Sequence, residues 1–136
     1  MIVDTSALVA IVSREPHADT LLDAILDGDA AIPAPAFVEF NRVVSGRGSR
    51  FAKSAVETVE QLFANGLKIE PFTSQDAVHA SNAISAHGSG NGRGGKLNLL
   101  DLMVYAVARR TGQPILCTGK DFAATDADIH PSSRRW

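Results

Sequence analysis

The chain has 136 residues, of which 45% are hydrophobic and 21% charged, and its formal net charge is −2. This composition excludes wholesale disorder and indicates one globular domain, residues 1–136, that is long enough to bury a core. The small negative charge does not indicate a nucleic-acid-binding protein, although a local basic patch would not show in the total. Cys117 is the single cysteine, which excludes an internal disulfide and fits a reducing compartment.

The N-terminal stretch "MIVDTSALVAIV" has an acid, Asp4, where a signal peptide would carry basic residues. Its apolar run is also too short to cross a bilayer. We therefore expect a cytoplasmic protein with no membrane segment.

Short apolar runs alternate along the chain with stretches of helical periodicity. This alternation predicts an α/β fold, a doubly wound three-layer α/β/α sandwich with a mostly parallel central sheet. Residues 88–95, "GSGNGRGG", contain five glycines and predict one flexible loop. The predicted elements in chain order are a strand at 1–3, helices at 5–13 and 16–28, a strand at 30–32, helices at 35–46 and about 56–66, a strand at 68–72, a helix capped by Ser74 and ending near His87, a helix at about 98–110 and a strand at 114–117.

Asp101 lies on the apolar face of the predicted helix "NLLDLMVYAVARR", beside Val104, Tyr105 and Ala108. A lone buried carboxylate costs several kcal/mol, and no basic residue lies one helical turn away to offset that cost. The compensating group must therefore come from elsewhere in the chain or from solution. The alternative is a purely local role, in which Asn98 and Asp101 form a reciprocal helix cap.

Three further acids come from separate segments. Asp4 ends the first strand, Asp121 follows the last strand, and Glu39 lies among apolar neighbours in a helix. In parallel sheets, ligands bind beyond the carboxyl ends of the strands. Taken singly, Asp4 could be a helix cap, Asp121 a turn residue, and Glu39 a surface partner of Arg42.

The four acids together indicate a cation site. If they converge, each pair at about 5 Å repels by roughly 3 kcal/mol at an effective dielectric near 20, so the cluster needs a cation. Carboxylate oxygens suit Mg²⁺ or Mn²⁺. The four histidines show no metal-ligand spacing, which argues against zinc.

Four motifs together resemble the PIN-domain ribonucleases and, within them, the VapC toxins of bacterial toxin–antitoxin pairs. The motifs are "MIVDTSALVAIVSREP", "APAFVEF", "LNLLDLMVYAVA" and "ILCTGKDFAATD". Leu100 departs from the pattern, because relatives usually carry a small residue before the third acid, and this bears on access to the site. The resemblance implies metal ligation by Asp4, Glu39, Asp101 and Asp121, an outer position for Asp126, and ligand-orienting or water-binding roles for Ser6 and Thr118.

The resemblance also implies an activity and partners. The expected reaction is Mg²⁺-dependent endonucleolytic cleavage of RNA, with tRNA or rRNA as substrate, Mn²⁺ as a substitute ion and a metal-activated water as nucleophile. The expected partners are a VapB-like antitoxin and a second copy of the chain. Since the acidic end repels phosphate, nearby cations must hold the RNA. We expect Arg93, Lys96 and Lys120 in this role, with Arg42, Arg47 and Arg50 as further candidates.

Two other functions fit some of the same residues. Asp4 at a strand end could be the covalent nucleophile of an aspartate-dependent phosphatase. Such enzymes normally have another acid two residues later, where this chain has Ser6. The fold could also be a non-catalytic PIN-like binding module, in which the acids only cap helices and turns.

Overall fold

The computed structural model describes residues 1–46 and 49–134. Within these residues, short strands alternate with six α-helices, as the sequence pattern predicts. The elements are β1 (Ile2–Val3), α1 (Thr5–Val12), α2 (Ala18–Asp27), β2 (Ala31–Pro33), α3 (Ala34–Gly46), α4 (Ser49–Ala64), β3 (Lys68–Glu70), α5 (Ser74–His87), α6 (Leu99–Thr111), β4 (Ile115–Leu116) and a short 3₁₀ helix (Phe122–Ala124).

The four strands form one parallel sheet in the order β3-β2-β1-β4. Ile2 is paired with Ala31 of β2 on one side and with Ile115 of β4 on the other. The chain therefore builds the sheet outward from β1 to β3 and then returns to the opposite side of β1. Right-handed connections in the two directions cover opposite faces of the sheet, which gives the α/β/α arrangement. The predicted fold class is confirmed.

This strand order fixes where a site can form. The direction of winding reverses between β1 and β4, and ligands of doubly wound sheets bind outside the carboxyl ends of the strands at such a reversal. Asp4 follows β1 directly, and the turn containing Thr118 and Gly119 follows β4. The segments that carry Asp4 and Asp121, two of the acids expected to be functional, therefore follow neighbouring strands at the switch point of the sheet.

The core lies between the sheet and the helices. Ile2, Leu8, Phe40 and Val104 are almost completely buried. Helix α6 has an unbroken buried run from residue 104 to 108 because it packs against α5, α3 and the strands β1 and β2. None of the helices in the described ranges is long and apolar enough to span a membrane.

The N-cap of α5 corrects one local prediction. Ser74 is the first residue of the helix, and Thr73 is the cap. The Thr73 hydroxyl accepts a hydrogen bond from the Asp76 N–H, while the Asp76 carboxylate accepts one from the Thr73 N–H. This reciprocal pair satisfies two backbone donors, which the side chain of Ser74 cannot do from inside the helix.

The predicted strand at 68–72 is also too long. It ends at Glu70 because Pro71 has no N–H to donate to the sheet.

Candidate metal centre

Asp4 is held at the end of β1 by the start of the next helix. Its backbone is extended, and its side chain caps α1 by accepting a hydrogen bond of 2.9 Å from the Ser6 N–H. The Ser6 hydroxyl donates to the same carboxylate oxygen. Asp4 is only 5% exposed, and this burial, together with the charge of Glu39, raises its pKa even though the Ser6 hydrogen bonds act in the opposite direction.

Ser6 also connects the two strands at the switch point. Its hydroxyl oxygen accepts a hydrogen bond of 3.0 Å from the Thr118 N–H, just beyond β4. The Ser6 hydroxyl therefore accepts a hydrogen bond from the Thr118 N–H and donates one to the Asp4 carboxylate. These two hydrogen bonds fix the orientation of the Asp4 carboxylate relative to the turn after β4.

Asp101 lies in the first turn of α6 and takes part in a capping box. The Asn98 side chain accepts hydrogen bonds from the N–H groups of Leu100 and Asp101, and Asp101 Oδ2 accepts one of 2.8 Å from the Asn98 N–H. The local cap that was considered for this pair is therefore present. The cap engages only Oδ2 of the Asp101 carboxylate, which has a second oxygen, Oδ1.

The charges of acids from three other segments act on Asp101. Burial raises the pKa of Asp101 to about 7, with further contributions from the charges of Asp4, Asp121 and Glu39, while the hydrogen bond from Asn98 opposes the rise. Nothing in its own helix supplies these charges. The negative field at this point is a consequence of the tertiary fold.

Glu39 and Asp121 lie at the more accessible parts of this acidic group. Glu39 is half-buried on α3, whereas Asp121 is exposed and precedes the short 3₁₀ helix. The chain reaches Asp121 through a turn in which Gly119 has φ +95°, a conformation that favours glycine. The four acids thus combine two constrained carboxylates, Asp4 and Asp101, with two that face more solvent.

The donor set suits a hard cation, but the carboxylates are not closed around one. None of the ion pairs in the described ranges involves any of the four acids. In the same part of the chain, no three His, Cys, Asp or Glu side chains are close enough together to hold a metal ion as they stand. Asp4 Oδ2 and Asp101 Oδ2 instead accept protein hydrogen bonds. An oxygen-only set without a cationic partner fits Mg²⁺ or Mn²⁺ chemically.

Asp126 has partners other than the four acids. It accepts a hydrogen bond of 2.7 Å from the Tyr105 hydroxyl, forms an ion pair of 3.3 Å with Arg109 and lies 3.3 Å from Nε2 of His87. Tyr105 was expected only as an apolar neighbour of Asp101, and no motif selects His87. These partners are distant in sequence, so only the fold reveals the cluster.

Where the structure describes their side chains, the predicted phosphate-binding cations are on the surface. Arg93, Lys96 and Lys120 are exposed, and Arg93 and Lys96 line a cavity of about 110 Å³ with His87. Arg42 is exposed near the end of α3. Arg47 and the side chain of Arg50 lie outside the described residues.

Comparisons with known proteins agree with this architecture. The family model for the PIN domain matches residues 1–128. Ribonuclease VapC42 of Mycobacterium tuberculosis is 37% identical over 133 residues, which are 97% of this chain and 98% of that protein. Ribonuclease VapC36 of the same species is 37% identical over 139 residues, covering 100% of this chain and 97% of that protein.

Solved structures share the fold at lower identity. The crystal structure of Mycobacterium tuberculosis VapC20, described as a Sarcin-Ricin loop cleaving toxin, has a TM-score of 0.72 and 17% identity, and the match covers 93% of this chain and 95% of that one. A toxin-antitoxin complex from Klebsiella pneumoniae has a TM-score of 0.70 and 18% identity, with 96% of each chain covered. VapC ribonucleases with a PIN domain are metal-dependent nucleases. This chain belongs to the PIN-domain family and, within it, to the VapC ribonucleases.

Proposed function

We propose that this chain is an endoribonuclease that uses Mg²⁺, with Mn²⁺ as a substitute, and that it is the toxin of a toxin–antitoxin pair. The observation that carries the proposal is the match of the PIN-domain family model to residues 1–128, and a cation is supported by the burial of Asp101 and by the charges of three acids from other segments that act on it. A carboxylate in this setting is stabilised in its ionised form by a divalent cation. In our proposal Asp4, Glu39, Asp101 and Asp121 hold the ion.

In the proposed site, the surroundings of each residue determine its role. Asp4 and Asp101 are the constrained carboxylates and set the position of the ion. Ser6 keeps the Asp4 carboxylate oriented, because its hydroxyl donates to Asp4 and accepts from the Thr118 N–H. When bound, the ion positions the phosphodiester, lowers the pKa of an attacking water and stabilises charge on the leaving oxygen.

Glu39 and Asp121 are the carboxylates that can orient the attacking water. Asp121 is exposed and Glu39 is half-buried, so solvent water can reach both carboxylates. Exposed Arg93, Lys96 and Lys120 supply the phosphate contacts that the acidic site itself cannot make. Asp126, with its own partners, supports the segment that follows Asp121.

The substrate and partners in this proposal rest on the relatives. VapC20 is described as cleaving the Sarcin-Ricin loop, and the Klebsiella pneumoniae structure is a complex of toxin with antitoxin. We therefore propose a structured RNA, either tRNA or rRNA, as substrate, a small VapB-like antitoxin as inhibitor, and a homodimer as the assembled form. A cytoplasmic location follows from an RNA substrate.

The aspartate-dependent phosphatase is the weaker alternative. That chemistry needs an acid two residues after the nucleophile to protonate the leaving group. Here the position is Ser6, whose hydroxyl is already engaged with Asp4 and Thr118. The structure offers no feature that favours this alternative over the ribonuclease.

The proposal is tested by RNA cleavage with Mg²⁺, with Mn²⁺ and with EDTA. The variants are Asp4→Asn and Asp101→Asn, with Asp23→Asn, an exposed acid of α2, as the control for loss of one negative charge. We expect cleavage to require the ion, to fall at least a hundredfold in the first two variants and to be unchanged in the control. Equal activity of Asp4→Asn, Asp101→Asn and the parent chain would exclude the metal-nuclease mechanism. A non-catalytic module would bind RNA without cutting it under any of these conditions.

A further inference from the structure

Two adjoining cavities lie beside α5 and α6. One, of about 210 Å³, is lined by residues of both helices, including His79, Asn82 and Arg109. The other, of about 110 Å³, lies between the end of α5, the glycine loop and residues 124–125. Ala86 and His87 line both, so the two cavities are neighbours on the surface. We call the two together the α5–α6 groove, with the polar lining residues His79, Asn82, His87, Arg93, Lys96 and Arg109.

The groove leads away from the acidic site along the elements that carry it. Tyr105 and Arg109 lie one and two helical turns beyond Asp101, or about 6 and 12 Å further along the axis of α6. Thr125, on the opposite wall, is four residues beyond Asp121. The segments that form the two walls therefore also carry Asp101 and Asp121 of the proposed metal centre.

The lining of the groove is complementary to a phosphate backbone. It contains Arg93, Lys96 and Arg109, and no carboxylate lines either cavity within the described residues. His79 and His87 add imidazole groups, and Asn82 adds an amide that can donate to phosphate oxygens. Because Arg109 is paired with Asp126, the positive charge of the lining comes mainly from Arg93 and Lys96.

Several side chains of the groove have protein partners. The carboxylate of Asp126, which is exposed beside the groove, accepts a hydrogen bond from the Tyr105 hydroxyl and lies 3.3 Å from both His87 Nε2 and Arg109. The His87 and Tyr105 rings pack with centroids 5.3 Å apart. In the glycine loop, Asn91 Oδ1 accepts hydrogen bonds from the N–H groups of Arg93 and Gly95. Side chains held in this way lose little entropy when a ligand binds.

From this arrangement we propose that the α5–α6 groove binds single-stranded RNA on one side of the scissile phosphate and leads the strand from the metal centre past Lys96 and His87 to Arg109. The inference rests on the proposed ribonuclease function and extends it by assigning a path to the substrate. It adds His79, Asn82, His87 and Arg109 to the RNA-binding surface. The strand on the other side of the scissile phosphate lies outside the groove.

Binding is measured without cleavage, by fluorescence anisotropy of an end-labelled single-stranded RNA in EDTA. Arg109→Gln and Lys96→Gln probe the two cavities, and Lys53→Gln, an exposed lysine of α4, is the matched control. At about 50 mM salt we expect each groove variant to raise Kd about three- to tenfold and to reduce the slope of log K against log salt by about 0.7. The double groove variant reduces the slope by about 1.4, and the control leaves Kd and slope unchanged.

A second arm tests the direction of the path. RNAs that extend from the cleavage site toward only the 5′ end or only the 3′ end are compared with the parent chain and with Arg109→Gln. We expect Arg109→Gln to weaken binding of one of these RNAs and to leave the other unaffected. An equal effect on both RNAs would overturn the one-sided path.

Groove variants that match Lys53→Gln in Kd and salt slope would overturn the groove itself. Failure of the groove is distinguishable from failure of the proposed function, because these measurements require no cleavage. If Asp4→Asn and Asp101→Asn cut RNA normally while Arg109→Gln still loses affinity, the metal centre is wrong and the groove stands. If cleavage depends on the acids while the groove variants bind normally, the groove is wrong and the metal centre stands.

Discussion

Replacing Asp101 by Asn is expected to stabilise the metal-free protein above neutral pH. The carboxylate is partly buried and surrounded by the negative charge of Asp4, Asp121 and Glu39, so its ionised form is unfavourable in the folded state. Asparagine removes the charge and keeps an oxygen that can accept the hydrogen bond from the Asn98 N–H. The helix cap is therefore retained while the repulsion disappears.

The size of the effect follows from the pKa of Asp101. Its rise from 3.8 to about 7 corresponds to at most about 4 kcal/mol, and screening by solvent at this half-buried site reduces that to about 2 kcal/mol. Because the folded-state pKa is the higher one, the folded protein retains a proton that the unfolded chain has released. Stability is therefore lost as pH rises from about 4 to about 7, and it stays low above that range.

Urea unfolding in EDTA at pH 4 and pH 8 measures this difference. We expect Asp101→Asn to match the parent chain at pH 4 and to exceed it by about 2 kcal/mol at pH 8. Asp23→Asn, which is exposed on α2, should show little pH-dependent difference. An Asp101→Asn variant that is no more stable at pH 8, or that gains equally at both pH values, would refute the electrostatic reasoning.

Two other predictions follow from the hydrogen-bonded carboxylates. Ser6→Ala removes the hydroxyl that orients the Asp4 carboxylate. We expect isothermal titration to show a loss of about tenfold in Mn²⁺ affinity, with little change in stability. Unchanged affinity would contradict the role of Ser6. Arg110→Gln leaves the buried carboxylate of Asp76 without its cation, so urea unfolding should show a loss of about 3 kcal/mol in the free energy of unfolding. Lys68→Gln breaks an exposed ion pair of similar length and should show little loss. Equal losses in the two variants would contradict the importance of burial.

The fold could be predicted because it depends on local patterns. Alternation of apolar runs with helical periodicity identifies the parallel sheet, whereas the convergence of the four acids on one ion stays a prediction. The capping box of α5 was also readable, since Thr73 stands three residues before Asp76, although Ser74 was selected as the cap.

Pairings between distant segments could not be predicted in the same way. The carboxylate of Asp76 is buried and accepts a hydrogen bond of 2.7 Å from Arg110, at the end of α6. Burial alone would raise the pKa of Asp76, but the hydrogen bonds from Arg110 and Thr73 outweigh this effect and lower it. Tyr105 has its ring in the core and its hydroxyl on Asp126, so its apolar and polar roles cannot be separated by periodicity. The packing of α5 on α6 decides the first contact, and the packing of the segment after the 3₁₀ helix on α6 decides the second.

The proposed divalent-cation site, formed by acids from four segments, can be located by diffraction from crystals soaked in Mn²⁺, using the anomalous scattering of the ion. We expect an anomalous peak about 2.2 Å from carboxylate oxygens of Asp4 and Asp101, and no peak in crystals of Asp4→Asn. Crystals of the parent chain that show no peak among the four acids at saturating Mn²⁺, or a peak that persists unchanged in Asp4→Asn, would contradict the account.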